Sequence, residues 1–453
     1  MNQTTQTAQE KNDTHSQFRL LRRRRFLPLF ITQFLGAFND NAYKTSLVML
    51  LTFGASWSVM NPEVLTNLAG GIFMVPAFLF SATAGQLADK FDKARLARWV
   101  KALEILIILA VAVGFWLHSL PWLLSALFLL GTHASFFGPI KYAILPQHLR
   151  PQELVGGNAL VDAGTFIAIL LGTISGGLLA RLQSGEAWIV GICLLVALAG
   201  FVVSWKIPAA PAPMPELKIS LNPLVEAWHC IGFARRERSV LLSILAVSWF
   251  WFYGATLLAQ FPLYAKNVLG GDENAFTLLL AVLCVGISVG SLLCEKLTRR
   301  RGKNVEPGLV PMGALGMLIF GIDLYFASPV HPAEMGMPLA TLLQQDGIWR
   351  VLFDLMMVGS FGGVYCVPLY ALIQQRSDES CRARVIAANN ILNALFMVLG
   401  ALGAIAVLSW GHRTIPELFL LIAVMHAGVT IYIFSVVPEF LIRALIWFGW
   451  RKE

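Results

Sequence analysis

Charged residues are scarce in this 453-residue sequence, and their scarcity excludes most classes of soluble protein. Asp, Glu, Lys and Arg make up 13% of the chain, against about 25% in typical globular domains. Hydrophobic residues make up 57%, and the mean hydropathy is +0.68. So few charges cannot cover a soluble protein of this length, and so many apolar residues exclude a disordered chain. The composition therefore indicates a polytopic membrane protein.

Catalytic and ligand-binding motifs are also missing. The sequence has no Walker loop, no H-E-x-x-H zinc helix and no G-x-S-x-G nucleophile turn, so neither an ATP-driven pump nor these hydrolases are indicated. The cysteines have no metal-ligand spacing, and we expect them to be free thiols. They are Cys193, Cys230, Cys284, Cys294, Cys366 and Cys381. We therefore predict no enzyme, no cofactor and no metal site.

Twelve apolar stretches are present instead, each long enough to cross a hydrocarbon core of about 30 Å as a helix. Their length favours helices over the short alternating strands of a transmembrane barrel. The predicted class is an all-α polytopic membrane protein with twelve transmembrane helices. Their approximate limits are 26–54, 64–87, 97–118, 121–143, 157–180, 187–207, 240–266, 274–297, 307–327, 347–372, 385–409 and 414–437.

The basic residues predict which way the spans are oriented. All but five of the 34 lysines and arginines fall on the side of the membrane that carries both termini, and the exceptions are Lys44, Arg181, Lys266, Arg350 and Arg413. The positive-inside rule places that side in the cytoplasm. The net charge of +8 therefore reports orientation and contact with membrane lipids, and we do not expect a nucleic-acid partner.

The loops divide the chain into five parts. Residues 1–25 are a basic N-terminal tail, 26–207 a first six-helix half, 208–238 a cytoplasmic linker, 239–437 a second six-helix half, and 438–453 an amphipathic tail. The halves share a repeated block. Pro139 precedes Asn158 by nineteen residues, and Pro368 precedes Asn389 by twenty-one, each pair joining two spans through a short basic loop. Pseudo-symmetric halves with a site between them are typical of transporters.

The loop between spans two and three carries a motif. It reads Gly85-Gln-Leu-Ala-Asp89-Lys90-Phe-Asp-Lys-Ala-Arg95 and resembles the loop motif of the major facilitator superfamily, G-x-L-a-D-R-x-G-R-R. Gly85 would allow two helices to approach closely, and Asp89 would pair with a basic residue near a helix N-terminus, forming a conformational latch. Asp92 replaces the second glycine of the motif, so the turn is expected to differ.

Polar side chains inside the spans are the candidate substrate site, because charges at membrane depth are costly and usually functional. In span one, Asp40 and Lys44 are one helical turn apart, which suggests either a structural ion pair or half of a head-group site with Asn39 and Asn41. Asp162 equally fits a site or a partner for Lys141 or Lys44. The remaining candidates are His133, Tyr142, Asn158 and Asp354, and the neutral Gln260, Asn389 and Asn393 of the second half.

Three blocks resemble the bacterial lysophospholipid transporters of the major facilitator superfamily, over about residues 26–437. They begin at Gln33 (Gln-Phe-Leu-Gly-Ala-Phe-Asn-Asp-Asn), at Pro139 (Pro-Ile-Lys-Tyr-Ala-Ile-Leu) and at Val367 (Val-Pro-Leu-Tyr-Ala-Leu-Ile-Gln). The sequence is especially similar to the transporter part of transporter–acyltransferase fusions. Because the sequence stops at Glu453, the resemblance implies a separate acyltransferase.

The resemblance implies a monomeric flippase in the bacterial inner membrane. It would move lysophospholipids, chiefly lysophosphatidylethanolamine, to the cytoplasmic leaflet for re-acylation, with Asn39, Asp40 and Asn41 on the head group. Standalone members carry a cation and a carboxylate where Gln260 and Asn393 stand here, so head-group choice is expected to differ. The alternatives are a proton-coupled exporter of drugs or small metabolites, and a membrane scaffold that docks an acyltransferase.

Overall fold

A computed structural model describes residues 16–53, 62–220, 222–299, 307–329 and 335–448. Residues 1–15 of the predicted N-terminal tail and 449–453 of the C-terminal tail lie outside these ranges. The first six long helices are α1 (Leu27–Phe53), α2 (Pro62–Lys90), α3 (Lys93–Trp116), α4 (Leu120–His148), α5 (Leu154–Ala180) and α6 (Gly185–Ser204). They coincide with the first six predicted spans.

The second set follows a short linker helix, α7 (Pro223–Arg235). It comprises α8 (Arg238–Leu263), α9 (Glu273–Arg299), α10 (Leu309–Ala327), α11 (Ile348–Arg376), α12 (Arg382–Ile405) and α13 (Ile415–Val436), and it is followed by α14 (Glu439–Phe448). Within the described ranges, eleven helices are long and apolar enough to cross a membrane. The twelfth long helix, α1, has 27 residues and falls short on hydropathy because it carries the polar run at Asn39, Asp40 and Asn41. The prediction of twelve spanning helices is confirmed.

The two halves pack by the same scheme. In the first, α1 packs along α5, α2 along α4, and α3 along α6; in the second, α8 packs along α12, α9 along α11, and α10 along α13. The halves meet where α2 contacts α12 and α5 contacts α9. Because the chain crosses the bundle an even number of times, α1 begins and α13 ends on the same side. We call this the terminal side. The opposite side is called the distal side.

The linker is held against the terminal side by hydrogen bonds to the motif loop. Ser220 donates its backbone N–H to Gln86 Oε1 (2.7 Å), and Gln86 Nε2 donates to the Ser220 carbonyl oxygen (3.1 Å). Asp92 accepts from Arg95 N at the start of α3 and from Ala210 N (both 2.9 Å). Asp92, the departure from the superfamily motif, therefore caps a helix and fixes the linker.

The structure adds two features that the sequence did not indicate. Residues Gln17–Arg22, assigned to the N-terminal tail, form a turn of 3₁₀ helix, and Gln17 Nε2 donates to the Leu292 carbonyl of α9 (2.9 Å). Lys101 lies inside α3 with no solvent exposure. It pairs there with Glu104, one turn further along the same helix.

Gly85 allows α2 and α12 to approach, and this contact is testable. A Cβ at Gly85 would lie 2.8 Å from Ala387 Cβ and 3.0 Å from the Ala383 carbonyl oxygen, whereas a Cβ at Gly191 would meet nothing within 4 Å. Gly85→Ala should therefore lower the unfolding temperature, because overpacking a tight contact costs about 1–3 kcal/mol. Gly191→Ala should leave it unchanged or raise it, since alanine is the better helix former. Equal thermal unfolding of the two variants in detergent would contradict the close α2–α12 contact.

Candidate substrate site and gate

Four charged or titratable side chains form one buried cluster in the first half. Lys101 and Glu104 of α3 form an ion pair, His133 Nε2 of α4 lies 3.4 Å from Glu104 Oε2, and His133 Nδ1 lies 3.8 Å from Asp40 Oδ1 of α1. We call these four residues the charged cluster. Two acidic and two basic groups lie together there, so the cost of burying each charge is reduced by an opposite neighbour.

The predicted pair of Asp40 and Lys44 is not formed. Lys44 Nζ donates to Asn41 Oδ1 (3.2 Å) and lies 5.3 Å from the centroid of the Phe73 ring, while Asp40 faces His133. The i, i+4 spacing permitted the pair, but the basic group within 4 Å of the Asp40 carboxylate is His133 of α4. Lys44 and Asp40 therefore make no direct contact, although they are close enough to interact electrostatically.

Asn39 lies on a buried face of α1, unlike the partly exposed Asp40 and Lys44. Its Nδ2 donates to Glu104 Oε1 (2.8 Å) and to the Cys193 carbonyl of α6 (3.2 Å), and the residue has no solvent exposure. The expectation that Asn39 contacts a head group is not supported by this geometry. Asn39 instead orients the Glu104 carboxylate within the charged cluster.

Most of the other predicted site residues are buried as well. Among the twelve, Asp40, Asn41 and Lys44 have intermediate exposure, and all others are less than a tenth exposed. Asp162 Oδ2 of α5 accepts from Ser291 Oγ of α9 (2.5 Å), so this carboxylate contacts the opposite half. Lys141 of α4 lies close enough to interact electrostatically with both Asp162 and Asp40.

The candidate site residues of the second half are either uncharged or buried. Asn393 of α12 accepts from Ser248 Oγ of α8 (2.9 Å), and Asn389 is 1% exposed. Gln260 is 9% exposed on α8. Asp354 is fully buried within the second half near Asp323, whose carboxylate pairs with Arg350 (2.5 and 3.1 Å).

The two repeated sequence blocks meet at the interface of the halves. The rings of Tyr142 and Tyr370 stack in parallel with centroids 4.6 Å apart, and Trp251 Nε1 donates to Tyr370 Oη (3.3 Å). Asn158 and Gln374 exchange two hydrogen bonds (2.7 and 3.0 Å). These five residues form a plug that we call the terminal-side gate. Of them the sequence singled out Tyr142 and Asn158. Tyr370 and Gln374 lie in the block that begins at Val367, but the repeat matched Asn158 with Asn389 and not with Gln374.

A buried ion pair lies beyond the gate, at the terminal ends of α2 and α12. Asp89 Oδ2 accepts from Arg384 Nε (2.9 Å), and Asp89 Oδ1 accepts from the backbone N–H of Ala383 (3.1 Å). Asp89 is fully buried, and the first turn of α12 directs its N–H groups at the carboxylate. The other predicted latch residues lie apart: Lys90 contacts the Phe91 ring, and Arg95 contributes its backbone N–H to Asp92.

The distal side is held much less firmly. Among described residues, the inter-half ion pair there joins Arg181 to Glu273, and each side chain is 58% exposed. Exposed pairs stabilise a protein by about 0–1 kcal/mol, so this pair opposes separation weakly. The structure therefore has its terminal side closed by buried polar and aromatic contacts, with the weaker seal on the distal side.

Comparison with known proteins identifies the class. Residues 29–401 match the Major Facilitator Superfamily. The fold is similar to that of FucP, a transporter of this superfamily in its outward conformation, with a TM-score of 0.66, 13% identity, and coverage of 91% of this chain and 99% of that one. It is equally similar to the human organic anion transporter MFSD10, with a TM-score of 0.66, 15% identity, and coverage of 90% and 98%. The chain belongs to the Major Facilitator Superfamily of membrane transporters.

Curated relatives define the family more narrowly. The lysophospholipid transporter LplT of Enterobacter sp. (strain 638) is 30% identical over 376 residues, which are 81% of this chain and 85% of that protein. LplT of Cronobacter sakazakii is 30% identical over 386 residues, or 83% and 87%. The chain is therefore a multi-pass membrane protein of the lysophospholipid transporter family.

The contacts of Asp89 lead to a prediction that distinguishes a helix-capping role from a simple ion pair with Arg384. Asp89→Asn should destabilise the protein by about 3 kcal/mol, because it leaves the largely buried Arg384 guanidinium without its counter-ion. The exchange Asp89→Arg with Arg384→Asp restores the opposite charges but places a cation at the α12 N-terminus. We expect that exchange to remain as unstable as Asp89→Asn in a thermal unfolding assay. Full recovery of the unfolding temperature in the exchanged variant would show that the α12 N-terminus contributes nothing to the stability of the latch.

Proposed function

We propose that this protein moves lysophospholipids across a bacterial inner membrane by alternating access of its two halves. Membership of the lysophospholipid transporter family supports the substrate class. The observation that carries the proposal is the placement of opposite, partly accessible charges on α1 and α4. Asp40 suits the ammonium group of a zwitterionic head, and Lys141 suits its phosphate.

The amphiphilic nature of the substrate fits the rest of the site. The second half offers amides rather than charges, and the walls between the halves include apolar rings such as Phe166 and Trp251, which stack with centroids 6.2 Å apart. Such walls suit an acyl chain, which needs no polar partner. A polar head on the first half with a tail against apolar surface or lipid is therefore the arrangement that we propose.

The excess of lysine and arginine on the terminal side supports a cytoplasmic location for both termini. With that orientation, the closed terminal side corresponds to an outward-facing state that receives lysolipid from the outer leaflet. The product would be delivered to the cytoplasmic leaflet, where a separate acyltransferase would re-acylate it. The Asp89–Arg384 latch would hold this state until the halves rock apart.

Reconstitution into proteoliposomes tests the function. Labelled lysophosphatidylethanolamine placed in one leaflet should move to the other at a rate that depends on the protein. Lys141→Gln should slow that transfer at least several-fold, because it removes the cation proposed for the phosphate. Lys218→Gln changes an exposed lysine of the linker and should have no effect. Transfer no faster than in protein-free vesicles would refute the proposed function.

A double variant tests whether Asp40 serves the substrate or Lys44. Asp40→Asn should impair transport of the amine-headed lysolipid while leaving the protein folded. Because Lys44 donates to Asn41 rather than to Asp40, adding Lys44→Gln should not restore transport. Restoration in the same vesicle assay would show that Asp40 acts as a counter-ion to Lys44.

A further inference from the structure

His133 connects the accessible and the enclosed parts of the charged cluster. The side chains of Lys101 and Glu104 are 1% and 0% exposed and that of His133 is 2% exposed, whereas that of Asp40 is 12% exposed. Asp40 is therefore the member of the cluster that an incoming head group can reach. His133 lies directly behind it, with Nδ1 3.8 Å from Asp40 Oδ1.

The position of the His133 ring determines which protonation state fits. Both ring nitrogens face carboxylate oxygens, at 3.4 Å on the Glu104 side and 3.8 Å on the Asp40 side. A neutral imidazole carries one N–H, so either tautomer would leave a lone pair facing a carboxylate. An imidazolium instead places a positive charge within 4 Å of both carboxylates. With His133 protonated, the cluster holds two cations and two anions and is electrically balanced.

The surrounding groups keep the rest of the cluster fixed. Glu104 is held by Lys101 and Asn39, and the ammonium of Lys101 fits against Gly200, where a Cβ would lie 3.0 Å from Nζ. The other charged or titratable groups that face this region are Lys44 of α1, Lys141 of α4 and Cys193 of α6. Among described residues, no three His, Cys, Asp or Glu side chains are placed to hold a metal ion.

We propose that binding of a cationic head group at Asp40 displaces the proton carried by His133. The ammonium of the ligand takes the place of the imidazolium as counter-ion to Asp40, the N–H bond of His133 breaks, and the proton leaves to solvent in the cleft. The charge of the cluster with its ligand is then unchanged. This inference rests on the proposed function, and it adds that amine-headed lysolipids are exchanged for a proton whereas glycerol-headed ones are not.

The experiment counts protons and bound lipid together. Purified protein in a weakly buffered solution with a pH indicator is titrated with fluorescent lysophosphatidylethanolamine, and binding is read from the lipid label. We expect one proton released for each amine-headed lipid bound, and none with lysophosphatidylglycerol. His133→Gln should still bind lysophosphatidylethanolamine but release no proton. The control His229→Gln removes a histidine from a histidine–carboxylate pair on α7 (3.3 Å to Glu226), and it should behave as wild type.

A second measurement needs no variant. Calorimetric titration of the wild type in two buffers with different ionisation enthalpies gives the number of protons exchanged from the difference between the binding enthalpies. Binding without proton release, or release that persists in His133→Gln, would overturn the inference and leave the proposed function intact. Failure of the wild type to bind any lysophospholipid would overturn both.

Discussion

The cost of burying charge among apolar helices is the constraint on which this structure depends. An isolated ion inside a membrane protein is strongly unfavourable, so opposite partners that share a buried site lower its cost. The first half lowers this cost by joining Lys101, Glu104, His133 and Asp40 into one cluster across three helices. Because the partners lie on different helices, the same contacts that neutralise the charges also align α1, α3 and α4. Asp40 is thereby held at the accessible end of the cluster.

The same constraint explains how one side of the molecule is sealed. Asp89 is buried between the halves because Arg384 and the N-terminus of α12 provide the compensating charge and hydrogen bonds. The tyrosine stack and the Asn158–Gln374 pair bury polar groups only with their partners in place. Separation of the halves would expose these groups to water, where each can be hydrated. Such contacts suit a gate, since they are stable when closed and not prohibitively costly when open.

Much of the fold could be predicted from the sequence, because long apolar runs, basic loops and the repeated proline blocks are local signals. The contacts within the site could be predicted less well. Asp40 and His133 were both identified, but their contact joins helices that are distant in sequence, and the i, i+4 spacing pointed instead to Lys44. Asn39 stands next to Asp40 in the sequence yet faces α3 and α6, because successive residues of a helix point in different directions. Lys101 was not singled out in the sequence, yet it lies in the core paired with Glu104.

We propose that the head group binds between the opposite charges of Asp40 and Lys141 on the first half. An experimental structure in a lipid nanodisc with lysophosphatidylethanolamine tests it most directly. We expect density for the head group between these two side chains, with the ammonium toward Asp40 and the phosphate toward Lys141. Density for the head group against Gln260 and Asn393, or an empty first half in a protein that still transports the lipid, would contradict it.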